Sequence, residues 1–364
     1  MKEGLTLGEL AKELVKQNEV KQDYLVDSSR MVMETCGAAP VLRVLNDFGE
    51  DCMEPLELTF TAHKQLGAYL RIPSNYYERM LKEAPELLVA NVNHWLDRTA
   101  EVKLLRTMDG AARALLSNRY WCADNLELLQ LIVPVLGGSS ELTVQSCGLT
   151  ETRMYIKVTS ERLREDVVPG DPVQYGVVIT NSEVGLGAIT VQPLIFRLVC
   201  TNGMVIGEHL GNGTRRIHKG SLKTLDGPLR IYNPPSLHDQ AEFVERLRKT
   251  LEEALTGTGF SEILEQMRRA TRMPIVSHDL TGLIRSAGLA FGLRECELSD
   301  VQMYLLASGD RTLYGLANAV TRYAQDVASY DRATQLEAAG YDLMTMSERQ
   351  WSHFNQYAAP LAAA

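Results

Sequence analysis

Between residues 141 and 206 five consecutive segments alternate polar and apolar side chains and are rich in β-branched residues: ELTVQSC, TRMYIKVTS, VQYGVVITN, GAITVQP and LIFRLVCTNGMVI. Alternation with period two sends successive side chains to opposite faces of a strand, and β-branched residues suit that pleated surface. Turn formers separate the segments, among them Gly170-Asp171-Pro172 and Asn202-Gly203. Gly185-Leu186-Gly187 falls between two of them and reads as a hairpin or bulge that needs positive φ, not as a phosphate-binding fingerprint, because it joins strands instead of opening a helix. The pattern predicts an antiparallel meander.

On both sides the apolar spacing changes to three and four, the helical period. Residues 5–35 read as short polar helix broken at Asp27-Ser28-Ser29, and 38–48 as the start of a strand. Residues 56–99 read as two or three helices, the first capped by Thr61 and a later one stopped near Pro73. EVKLLRTM, Asp109-Gly110 and AARALLS form a hairpin signal. Asp124-Asn125 precedes an apolar helix that ends at Gly137-Gly138, and further helix is expected over 237–256, 260–271 and 312–337. In the last, Leu313, Leu316, Val320 and Tyr323 form a stripe suited to the core or to a subunit contact. Segregated helices and strands imply the α+β class: an antiparallel β-meander with packed helices, and helical N- and C-terminal additions. The expected division is 1–105 mainly helical, 106–272 an α+β core domain with an antiparallel sheet, and 273–364 helical.

A chain of 364 residues with 45% hydrophobic and 23% charged residues has an ordinary globular composition. The net charge of −9 argues against a general cationic coat for DNA, though not against a local basic groove. Cys36, Cys52, Cys122, Cys147, Cys200 and Cys296 are scattered, which reads as reduced core thiols. There is no apolar leader and no run near the roughly 18 residues of a membrane span, so a cytoplasmic protein without a membrane partner is expected.

Catalytic signatures are missing: no GxSxG, HExxH or GxxxxGK[ST] occurs. His209 and His218, with Cys200 or Glu208, match no closed metal site, and Asp279 after His278 reads as a helix cap. Glu161, Glu165, Asp166 and Asp171 are the one carboxylate group that a metal-dependent nuclease could draw on, and they read as a solvated loop. No enzyme, cofactor or metal site is expected.

Residues 207–230 stand out. They carry Arg215, Arg216, Lys219, Lys223 and Arg230 against Glu208 and Asp226, interspersed with Gly211, Gly213 and Gly220. Arginine can grip a phosphate with two hydrogen bonds, and glycine lets the backbone come close. The segment reads either as a phosphate-binding loop or as exposed solvated charge. Arg153, Tyr155 and Lys157 share one strand face, a second binding surface or a solvent face. Arg246, Arg248, Lys249, Arg268, Arg269 and Arg272 are interleaved with glutamates and read as salt-bridged surface, and Tyr120-Trp121 could stack bases.

Four phrases in order, FTAHKQLGAYLRIPSNYYERM, LLSNRYWCADNLELLQLIVPVL, NSEVGLGAITVQPLIFRLVCTNGMVI and LYGLANAVTRYAQDVASYDRATQLEAAG, resemble the phage- and plasmid-like family catalogued as domain of unknown function 932, over roughly residues 55–340. That resemblance implies a mobile-element setting and brings no catalytic residues. At one further remove, the order of elements across 123–256 is similar to the β-β-β-α core of single-strand annealing proteins of the Red-beta, RecT and Erf type. Those act without ATP and assemble as rings or filaments. The expectation is a non-enzymatic protein that binds and anneals single-stranded DNA as a homo-oligomer. Arg215, Arg216, Lys219, Lys223 and Arg230 would hold phosphates, with Arg153, Tyr155 and Lys157 as secondary contacts. The alternative is an oligomeric interaction, plasmid-maintenance or anti-defence protein.

Overall fold

Thr6 and Glu9 open the chain with a capping box: Thr6 Oγ1 accepts from the Glu9 amide, and Glu9 Oε2 accepts from the Thr6 amide. The helix they start, α1 (Leu7–Val20), ends before KQDYLVD, which forms β1 (Lys21–Asp27). A 3-10 turn at Ser28–Arg30 leads to β2 (Met31–Cys36), followed by β3 (Ala39–Val44) and β4 (Leu56–Leu58). Helix over the whole of 5–35 is therefore not found: Asp27 ends a strand, not a helix. The computed structural model describes residues 1–37, 39–206, 214–216, 229–231 and 241–357, the two three-residue strands as backbone.

Three helices follow, α2 (Phe60–Tyr69), α3 (Ser74–Glu83) and α4 (Pro85–Leu96). Thr59, not Thr61, caps α2, accepting from the Ala62 amide, while Thr61 is buried. Pro73 sits immediately before α3, where its missing N–H costs nothing. β5 (Val102–Met108) and β6 (Ala111–Ser117) form the hairpin, with φ of 51° at Asp109 and 75° at Gly110, the positive pair that a tight right-twisted turn demands.

The meander is built as its alternation requires. After α5 (Asn125–Gly137) come β7 (Leu142–Leu149), β8 (Met154–Asp166), β9 (Pro172–Asn181), β10 (Ile189–Arg197) and β11 (Asn202–Val205), hydrogen-bonded in sequence order. Residues 187–206 turn at 198–201, past Pro193, because Pro193 lies inside β10 and Thr201 takes up φ of 51°. A short β12 (Thr214–Arg216) adds to β10. β13 (Leu229–Ile231) instead joins β1 in the other sheet, whose order is β13-β1-β5-β6-β4-β3-β2 with one parallel pair, β4 and β6. Region 1–105 holds the four helices α1 to α4 and also contributes strands β1 to β4 and part of β5 to this sheet. Its strands β1 and β5 pair with β13 and β6, beyond the expected boundary at 105.

The remaining helices are α6 (Ala241–Leu255), α7 (Phe260–Thr271), α8 (Leu280–Ala290), α9 (Leu298–Ser308), α10 (Leu313–Tyr323), α11 (Tyr330–Met344) and α12 (Glu348–Tyr357). The helix expected over 312–337 is two helices: Ser329 caps a new one by accepting from the Arg332 amide. Leu313, Leu316 and Val320 lie in the interior, so their stripe is core. Asp279 caps α8 by accepting from Gly282.

Three apolar clusters organise the chain. One joins α2, α3 and α4 to the first sheet through residues such as Leu66, Val92 and Leu105. The second places α1, α5 and α6 on the meander face bearing Ile156, Val177 and Val191. The third gathers α7 to α12 around Tyr175, Ile195 and Met204. The architecture is α+β.

Candidate functional site

Helix α11 lies across the meander face that carries Tyr155 and Lys157. Both expectations for that face, an open binding surface and a solvated one, are corrected at Lys157, which is 0% exposed. Its Nζ donates to Glu337 Oε2 at 2.5 Å and stands 4.7 Å from the Tyr330 ring centroid. An ammonium in that position cannot reach a phosphate. Tyr155 is also buried, and its hydroxyl donates to Asp331 Oδ1 at 2.8 Å. Burial, reinforced by Asp331, pushes the Tyr155 hydroxyl far above its usual range.

Arg153 is the member of this trio that reaches the surface. It is half-buried, and its Nη2 donates to the Leu186 carbonyl at 2.5 Å. It lines a groove of about 680 Å³ together with Tyr155, Thr180, Thr190, Gln192 and Asp331. The ladder extends this groove. Tyr155 pairs with Thr180, Thr180 with Thr190, and Thr190 with Arg215, so the four form one row across β8, β9, β10 and β12. Residues directly opposite in an antiparallel pair share a face. Thr180 and Thr190 join their hydroxyls at 2.7 Å in the middle of the row. Backbone register thus sets Arg215 opposite Thr190, which lines the groove, whereas Arg216 is opposite Ile189, on the face covered by α1, α5 and α6.

The basic segment is divided. Arg215 and Arg216 are in β12 on the meander, while Arg230 pairs with Leu25 in the other sheet. Lys219 and Lys223 lie outside the described residues, as do His209, His218 and Glu208. The second basic cluster is salt-bridged surface: Arg246 pairs with Glu242 at 2.6 Å, and Arg268 with Glu165 at 2.8 Å and Glu265 at 3.0 Å. Tyr120 and Trp121 are buried, which removes them as stacking platforms.

A network of charges that the sequence reading missed sits where the two sheets meet. Arg106, 1% exposed, donates from Nε to Asp23 at 2.9 Å, from Nη2 to Asp124 at 2.7 Å and from Nη1 to the Glu183 carbonyl at 2.9 Å. Glu183, equally buried, is 2.8 Å from both Lys21 and Arg113, and its Oε1 accepts from the Asn125 amide at 2.7 Å. The first-turn donor of α5 is thus satisfied by Glu183, and Asp124, freed from capping, turns to Arg106. Burial alone would raise the Glu183 carboxyl, but Lys21, Arg113 and Arg106 outweigh it and hold it at about 2. Burial also lifts the Cys122 thiol to about 12, so it is not a nucleophile at neutral pH. The signal was present in the sequence: single charges inside apolar strand segments, Asp23 in KQDYLVD and Arg106 in VKLLRTM. Such residues are almost never buried unpaired.

This network forms one wall of a cleft of about 790 Å³, lined by Arg113, Asn125 and Glu183 and by Lys12 and Lys16 of α1. Within the network Lys21, Arg106 and Arg113 pair with Asp23, Asp124 and Glu183, an arrangement that holds two sheets in register. Among the described residues no group of three or more His, Cys, Asp or Glu side chains is placed to hold a metal ion. Of the suggested nuclease carboxylates, Asp171 is buried against Arg197 and Tyr314, and Glu165 is bound by Arg268. No helix among the described residues is long and apolar enough to cross a membrane.

Comparison with curated proteins finds no match, and none is found among solved structures. A family model described as Domain of unknown function (DUF932) matches residues 114–344, from within β6 to the last residue of α11, and so takes in the groove, β12 and α11. The chain belongs to this family of unknown function.

Proposed function

We propose that the protein binds single-stranded DNA along the groove beside β12 and presents it for annealing, without nucleotide fuel or covalent chemistry. One observation supports the reading: strand register sets Arg215 opposite Thr190, a residue that lines the groove together with Arg153. Guanidinium groups spaced along a groove suit a phosphate chain, and the threonine hydroxyls between them add neutral hydrogen-bonding partners. Assembly of several copies on one strand, as a ring or filament, and an origin in phage or plasmid recombination belong to the same proposal. The acidic remainder of the molecule would confine the strand to this groove, because elsewhere it repels the backbone.

A gel-shift titration with labelled oligonucleotide tests the reading. Binding is expected at low salt and weakens as salt rises. The double variant Arg153→Ala, Arg215→Ala is expected to make the salt slope shallower by about 1.4, at roughly 0.7 per phosphate contact for single strands. No binding at low salt by the native oligomer discards the proposal, and an unchanged slope in the double variant removes this groove as the site.

A further inference from the structure

The geometry points to a second ligand site, a base-stacking pocket for a nucleotide unit, in the N-terminal region outside the family match. A groove of about 640 Å³ lies between the end of α2, the start of α3 and the end of α4. It shares no lining residue with the groove beside β12 and does not rest on that reading. Tyr76 and Trp95 line it, each 44% exposed, which is unusual for two large aromatic rings at one concavity. The third aromatic, Tyr69, is already engaged: Lys103 Nζ sits 3.6 Å from its ring centroid and its hydroxyl meets Ser28 Oγ at 2.8 Å. Tyr69 is therefore part of the scaffold; Trp95 meets the His94 ring in a T-shaped contact at 5.1 Å, and the exposed remainder of Trp95 and of Tyr76 is left for a ligand.

The charges select the class of ligand. Arg71 and Arg98 line the groove, and the lining carboxylate, Glu101, is bound by Lys103 at 2.8 Å. Arg98 Nη1 donates to the His94 carbonyl at 2.8 Å, which fixes one guanidinium at the end of α4. Arg71 is exposed and makes no ion pair among the described residues. It also occupies φ of 57°, just after α2, where the Ile72 amide bonds the Gly67 carbonyl at 2.9 Å. That is the left-handed position closing a helix, ordinarily filled by glycine. An arginine held there brings a cation to the groove against its backbone preference. Two exposed aromatics flanked by unneutralised guanidiniums fit a planar base with an attached phosphate, from a free nucleotide or from an unpaired strand.

Intrinsic fluorescence reads the site directly. Of the three tryptophans, Trp121 and Trp351 are buried and Trp95 is exposed. Deoxythymidine monophosphate and 5′-phosphorylated oligothymidylate are the probes, with an uncharged proline-rich peptide as the competing occupant. Saturable quenching by the oligonucleotide, by the mononucleotide or by both is expected, and the pattern assigns the source. Tyr76→Ala should weaken binding about tenfold, the size of one lost stacking contact. Arg71→Gly should weaken binding while leaving the melting temperature unchanged or higher, because glycine relieves the strained backbone. No saturable quenching by either nucleotide probe, quenching by the peptide alone, or wild-type binding by Arg71→Gly overturns the inference. Gel-shift binding that persists without quenching removes this pocket and leaves the groove beside Arg215 standing.

Discussion

Lys157 of the meander and Glu337 of α11 meet at 2.5 Å with neither side chain exposed to solvent, so one buried ion pair ties the central sheet to the C-terminal helices. Burial pulls the Lys157 ammonium below its usual range, opposed by Glu337. The apolar residues around the pair, Tyr155, Val178 and Tyr330, would close over a neutral replacement. Glu337→Gln strands a cation in the interior and is expected to destabilise by about 3–5 kcal/mol, whereas the double variant Lys157→Met, Glu337→Leu should recover most of that loss. Denaturant unfolding of both variants checks this. A double variant as unstable as the single one would show that the pair contributes more than its own neutralisation.

Glu183 sets an acid limit on stability. Its carboxyl titrates near 2 in the folded protein against an ordinary value of 4.5. A depressed carboxylate stabilises the fold above its unfolded value, and that contribution disappears as pH falls through the folded value. The loss therefore runs from about pH 4.5 down to about pH 2. It amounts to roughly 3 kcal/mol, at about 1.4 kcal/mol per unit. Glu183→Gln should flatten this limb in unfolding measurements across that range while lowering stability at pH 7.

His63 acts at milder acidity. Burial lowers its ring to about 4 from 6.5, and its Nδ1 lies 2.9 Å from the Tyr77 hydroxyl. The unfolded chain binds the proton first, so stability falls as pH drops from 6.5 towards 4 and changes no further, on this group's account, below that. His63→Phe should remove this slope while leaving the Glu183 limb in place. Melting temperatures in steps between pH 7 and pH 3.5 separate the two.

Several features were legible in the sequence because they are local. The alternation of residues 141–206 sets the meander, since period two leaves a strand as the only element that buries one face. Asp109-Gly110 sets its hairpin through backbone conformations that few other pairs accept. The N-terminal sheet was less visible. KQDYLVD is short, follows a helix and carries Asp23, and the partner that neutralises that charge, Arg106, is 83 residues away.

Sequence by itself determined the element types where periodicity or turn chemistry was strong, and it marked the cations of 207–230. Only the tertiary structure decided which of those cations share a surface. Strand register put Arg215 in line with Tyr155 and sent Arg230 to the other sheet, and the packing of α11 turned Lys157 from a surface charge into half of a buried pair. The physical reason is that a charged side chain carries no mark of its partner. Whether it meets solvent, phosphate or carboxylate depends on which distant element folds against it.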